Sequence, residues 1–267
     1  LAMSFIALPI IPNRAVGPFG GVNLREVWII AIVLAALSFA GYVAVRYFGE
    51  RRGELISATV GGLVSSTAVT IANARRIATG EGSPSLLAAA TALAMAVSFV
   101  RVIAITGALK PALLIPVGLP LLVSSAVAAA FAWLRTKRYV PSSSAGVPVE
   151  FRNPFGFWSV IAMAALMGLL ILVGRYISGH FGSSATIGSA AAMGLMDVDA
   201  MTVSMARLAP DSLSSQAASW AILVGVASNT VVKVLIASVI GRGRFALYVA
   251  GICFSCIVAA ALTAMLA

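Results

Sequence analysis

Long apolar runs separated by short polar stretches dominate the chain, and their lengths predict membrane-crossing helices. Eight segments stand out, at residues 27–48, 55–74, 84–109, 111–134, 157–177, 184–206, 213–240 and 245–267. A hydrocarbon core about 30 Å thick takes roughly 20 residues of helix, so each run is long enough to cross. Residues 1–12, LAMSFIALPIIP, are too short to span and read as the tail of a helix that begins before the chain does. The ten-residue alternation that marks membrane β-strands is absent. The expected fold class is all-α: a polytopic membrane protein of about eight helical segments.

Composition agrees. The chain is 61% hydrophobic and 10% charged with a mean hydropathy of +1.05, which excludes an ordinary soluble domain. Its net charge of +10 comes from cations scattered singly and in pairs between the apolar runs. They read as anchors meeting anionic lipid headgroups, so the expected partner is a lipid bilayer and not nucleic acid. Cys253 and Cys256 sit at helical i, i+3 spacing beside no second pair, and His180 is the single histidine. This favours two small core residues over a zinc site, and no cofactor is expected.

The segments repeat. A shift of 132 residues lays Ser57, Ala58, Gly62, Leu63, Ala68, Thr70, Ala74 and Arg75 on Ser189, Ala190, Gly194, Leu195, Ala200, Thr202, Ala206 and Arg207, eight identities in nineteen ungapped positions. The same shift lays Arg101 on Lys233, Ser98 on Thr230 and Lys110 on Arg242, and the spacing from Asn23 to Trp28 recurs from Asn153 to Trp158. The expected division is a first repeat with its partial leading helix over 1–140, a polar linker over 141–152, and a second repeat over 153–267.

The repeats differ where chemistry would lie. Ser65 and Thr67 of SSTAVT become Asp197 and Asp199 of DVDAMT, so a hydroxyl pair faces a carboxylate pair across the repeat. Carboxylates inside a membrane cost about 2.5–3.5 kcal/mol each and face a cavity, a partner or an ion path. Arg101 and Lys233 are the natural charge partners, one per half, and two ion pairs, between segments two and three and between six and seven, would satisfy all four charges. In an unbroken helix Asp197 and Asp199 would point to nearly opposite sides, whereas an unwound backbone would let them converge. Gly61, Gly62 and Gly194 suit such a break.

Two functions compete. In the first, the protein transports a small inorganic cation, or a proton-coupled ion, through a site where the halves meet. Asp197, Asp199, Ser65, Ser66, Thr67, Thr70, Thr202 and Asn229 would supply hard oxygen ligands, with Asp197 and Asp199 the metal candidates. In the second, a non-transporting regulatory or scaffold module keeps the same charges as a structural network. An enzyme is not expected: no GxSxG element frames a serine, and an aspartyl dyad would need carboxylates from separate helices.

Topology divides the sixteen remaining Lys and Arg nine to seven if every segment spans, and eleven to five if segments two and six re-enter the side they left. The second count fits the positive-inside rule better, but segment length favours spanning.

The set NLREVW, GYVAVRYFGERRG, GGLVSSTAVTIANARR, GLMDVDAMTVSMARLA and SNTVVK resembles the uncharacterised C-terminal membrane domain of long bacterial MgtC/SapB-family proteins, from about Leu8 to Leu262. Leu24 departs from the pattern, in which proline follows the asparagine as in Asn153-Pro154. The resemblance implies a multi-pass protein of the bacterial inner membrane with a preceding MgtC-like domain, and leaves room for a homo-oligomer.

Overall fold

A computed structural model describes residues 8–16, 22–32, 36, 54–137 and 157–266. The linker at 141–152 and most of the predicted first span lie outside the described residues. Those described are helical apart from turns and a two-residue antiparallel ladder, Ala15–Val16 against Val22–Asn23.

Residues 24–32 form α1, started by Asn23, whose Oδ1 accepts from the backbone N–H of Arg25 (3.1 Å) and of Glu26 (3.4 Å). The chain continues as α2 (Glu54–Ala78), α3 (Pro84–Leu109), α4 (Leu114–Lys137), α5 (Phe157–Met196), α6 (Val198–Leu208), α7 (Ser215–Ile236) and α8 (Gly243–Leu266). A 3₁₀ turn, Pro111–Leu113, leads into α4, and a π turn, Ala237–Gly241, joins α7 to α8. Pro120 lies inside α4, which runs on past it.

Segments five and six, expected as separate helices, are two helices parted at Gly182 (φ 77°, ψ −174°), where the backbone within Phe157–Met196 is not helical. Positive φ there suits glycine alone among common residues. His180 is exposed within α5, its ring 4.4 Å from that of Tyr176.

Among the described residues, five helical stretches are long and apolar enough to cross a membrane: Pro84–Leu109, Pro111–Thr136, Ala164–Gly182, Ser215–Gly241 and Gly243–Leu266. They correspond to predicted segments three, four, five, seven and eight. Segments two and six, which the sequence also made long enough to span, are interrupted and are not among the five.

At the centre is α3, 72% of whose apolar window is buried. Its Ala88, Ala89, Ala90, Ala92 and Ala94 are fully covered, and small residues let neighbouring backbones close in where lipid gives no hydrophobic drive to associate. A Cβ on Gly62 would stand 2.7 Å from Ala94 Cα, and one on Gly194 would stand 2.2 Å from the Gly225 carbonyl oxygen. The Ala190 carbonyl, Gly194 and the Met201 thioether all close on the single residue Gly225. A straight helix carries residues 190 and 201 about 16 Å apart, so α5 and α6 bend around α7. Helices α4 and α8 pack antiparallel. Ser124 Oγ donates to the Cys256 carbonyl (2.8 Å), Cys256 Sγ reaches back to the Ser124 carbonyl (3.5 Å), and further along α4 the Arg135 guanidinium covers the ring of Tyr248, earlier in α8, at 4.0 Å.

Candidate functional site

Two residues interrupt the helices beside this core. Ser65 within α2 has φ −163° and ψ 110°, and Asp197 between α5 and α6 has φ −154° and ψ 116°. Extended backbone is open to any residue, and the side chains explain why the breaks fall here. Ser65 Oγ accepts from Ala68 N–H (3.2 Å) and Asp197 Oδ1 from Ala200 N–H (2.8 Å), so each residue caps a helix that restarts in mid-segment. One turn on, Thr70 Oγ1 donates to the Ser66 carbonyl (2.8 Å) and Thr202 Oγ1 to the Val198 carbonyl (2.7 Å). Every residue in the first set stands 132 positions before its counterpart in the second.

Arg101 joins the two breaks. Its Nη1 donates to the Leu63 carbonyl (2.6 Å), while Nε and Nη2 grip both oxygens of Asp199 at 3.1 and 2.9 Å. This is the planar fork geometry that guanidinium offers a carboxylate. The side chains are 7% and 15% exposed, and removing one partner of such a buried pair costs about 3–5 kcal/mol. The pair runs between the third and sixth segments, whereas the sequence suggested pairs between neighbours in the chain.

Lys233 is arranged otherwise. It is 2% exposed, and its Nζ donates to the Asn229 carbonyl (3.2 Å) and to Asn229 Oδ1, while Asn229 Nδ2 donates to the Gly194 carbonyl (3.0 Å). Among the described residues no carboxylate lies within ion-pair distance of Lys233. An ammonium has three donors, of which these bonds use two. Arg101 and Asp199 are nevertheless within electrostatic range of it.

The sequence-derived candidates thus separate by role. Asp197 caps α6 with one oxygen and keeps the other uncommitted, and Asp199 is bound by Arg101. The hydroxyls of Thr70 and Thr202 are spent on their own helices, Ser66 is buried, and Thr67 is half-buried. Asn229 serves Lys233 and Gly194. Among the described residues no three His, Cys, Asp or Glu side chains gather as a metal cluster. The Leu63 carbonyl as an Arg101 partner was not foreseen, since a backbone acceptor leaves no mark in side-chain patterns. The Ser124–Cys256 contact was also missed, although the two residues stand 132 positions apart in the sequence.

Long apolar helices packed through alanine and glycine, with paired charges at their centre, define a class: a polytopic α-helical membrane protein. More narrowly, the chain belongs to the family described as Domain of unknown function (DUF4010), which it matches over residues 32–241. A protein of Aquifex aeolicus (strain VF5) described as an uncharacterized protein is 26% identical over 195 residues, 73% of this chain and 85% of that one. No solved structure matches the chain.

Proposed function

We propose that the protein transports a small ion across the membrane through the centre where the two helix breaks meet, and that it consists of two homologous halves of opposite orientation. One observation carries the reading: helices interrupted at Ser65 and Asp197, positions one repeat apart, are bridged by a single arginine. Transporters place their sites at such breaks, where half-helix ends and freed backbone groups face the ion.

The contact of Ser124 with Cys256 supports opposite orientation. Equivalent residues touch reciprocally only on a two-fold axis, and because α4 and α8 are antiparallel that axis lies across the helices, hence in the membrane plane. Three crossings and one re-entrant broken helix per half fit this arrangement, and they also give the eleven-to-five distribution of cations.

Asp197 is the carboxylate available to a cation, since Arg101 already neutralises Asp199. Inner-membrane location, a preceding MgtC-like domain and oligomer formation belong to the same proposal, resting on the resemblance. The competing reading, a scaffold with a structural ion pair, draws on the burial of Arg101 and Asp199.

Reconstituted protein distinguishes the two. A Na⁺, Mg²⁺, Ca²⁺ or proton flux in liposomes that falls at least tenfold in Asp197→Asn, with folding retained, supports transport. Absence of all four fluxes favours the scaffold, and a flux unchanged by Asp197→Asn removes that residue from the path.

A further inference from the structure

Helices α3, α4, α7 and α8, each long and apolar enough to cross a membrane, leave a cavity of about 120 Å³ between them. Phe99 of α3, Leu121 of α4 and Leu223 and Val226 of α7 form its buried floor. Trp220, Val224, Ala260 and Ala264, all half-buried, and the exposed Ala261 form a rim where α7 and α8 part. The polar side chains in the wall are already satisfied. Ser124 Oγ donates to the Cys256 carbonyl (2.8 Å), Cys256 Sγ to the Ser124 carbonyl (3.5 Å) and Thr230 Oγ1 to the Val226 carbonyl (2.8 Å). Nothing in the wall is left to recognise water, an ion or a polar ligand, and an apolar cavity of comparable size, about 150 Å³, stays dry and takes hydrocarbon.

The opening is written into the sequence. Ala88 and Ala92 of α3 are fully covered, and Ser125 Oγ of α4 donates to the Ala96 carbonyl (3.1 Å), which ties those two helices together. The residues 132 positions beyond Ala88, Ala92 and Ser125 are Trp220, Val224 and Ile257. Two bulky side chains stand on one wall in place of alanines, and an isoleucine with no proton to donate stands on the other in place of the serine. Helices α7 and α8 therefore stay apart where α3 and α4 close, and Ala260, Ala261 and Ala264 are too small to fill the gap.

Position decides the occupant. From Trp220 to Thr230 the α7 wall of the cavity advances ten residues, about 15 Å along a helix and half the depth of a hydrocarbon core about 30 Å thick. Beside the rim on α8, Val258 and Leu262 are exposed on the face turned to lipid, so the hydrocarbon of a single leaflet reaches the opening.

We infer that the cavity holds one acyl chain of a bilayer phospholipid, which enters sideways between α7 and α8 and lies against Phe99 and Leu121 as a bound part of the structure. The chain supplies the contacts that the lining atoms otherwise lack, while the headgroup stays outside the rim. The inference is independent of ion movement: a scaffold and a transporter would each carry this lipid.

The test is native mass spectrometry of the full chain in detergent, after washing that strips loosely held lipid. The wild type carries one phospholipid per chain, identified by its mass. Ala260→Leu and Ala264→Leu fill the opening from the rim and lose that lipid, whereas Ser255→Leu, on an exposed face of α8 outside the cavity, keeps it. A second arm needs no variant: full delipidation lowers the wild-type melting temperature, and added phospholipid restores it with saturation near one molecule per chain, whereas equimolar free fatty acid does not. Should the rim variants fail to fold, this second arm decides alone. The proposal is overturned if the washed wild type carries no phospholipid, if the folded rim variants keep it, if a fatty acid or a second copy of the chain takes its place, or if added phospholipid restores nothing.

Discussion

Breaking the Arg101–Asp199 pair from either side should give unequal costs, and the inequality follows from where the guanidinium points. Asp199→Asn keeps the shape and an acceptor but leaves Arg101 charged, buried and half-satisfied, which costs about 3–5 kcal/mol. Arg101→Met strands the Asp199 carboxylate at a similar cost and also frees the Leu63 carbonyl, which accepts from Arg101 at 2.6 Å. A hydrogen bond to a charged donor contributes about 1.5–3 kcal/mol, so Arg101→Met should exceed Asp199→Asn by that amount. With both substitutions present no charge is stranded; the Leu63 carbonyl and the introduced amide lack partners, but unpaired neutral groups cost less than a stranded charge, so the double variant should lose less than either single one. The expected coupling is several kcal/mol, well above the 0.5 kcal/mol within which independent sites add. Equilibrium unfolding in mixed SDS micelles, run on wild type, both singles and the double, measures all four corners. Additive losses, or an Asp199→Asn loss as large as that of Arg101→Met, would refute the reasoning.

Two other substitutions test the packing and the breaks. Gly194→Ala drives a methyl onto the Gly225 backbone at 2.2 Å, which cannot rotate away, so its loss should reach or exceed the 1–3 kcal/mol usual for overpacking; Gly188→Ala, with nothing within 4 Å, is the matched control and should be neutral or stabilising in the same titration. Ser65→Ala and Asp197→Ala each remove a mid-segment helix cap and should cost about 1 kcal/mol by thermal melting, whereas Asp197→Asn, which still caps, should melt close to wild type.

The apolar run lengths made the helical membrane character legible, because the bilayer imposes a minimum length that composition directly reveals. Segments two and six were harder. Glu54–Ala78 is long enough to span, and only the fall of a cap-forming Ser or Asp just after a glycine hints that the helix restarts there. Length favoured spanning, while the bend around Gly225 depends on a tertiary contact that no local pattern carries. The four central charges were readable as rare intramembrane residues, but their pairing was not. Arg101 reaches Asp199 across 98 positions of chain and Lys233 turns back on Asn229 four residues away, a choice set by how the helices cross. The boundary between segments five and six was legible, since it falls at Gly182, whose positive φ ends one helix before the next begins.

The two breaks share one latch. Because a single guanidinium holds the Leu63 carbonyl on one side and Asp199 on the other, neither broken helix can swing away without stretching the other's bond, and the pair behaves as one moving part. Parting them leaves the guanidinium without its fork on Asp199 and the Leu63 carbonyl without its donor. Any motion at the centre is therefore concerted, with Arg101 carrying it from one broken helix to the other.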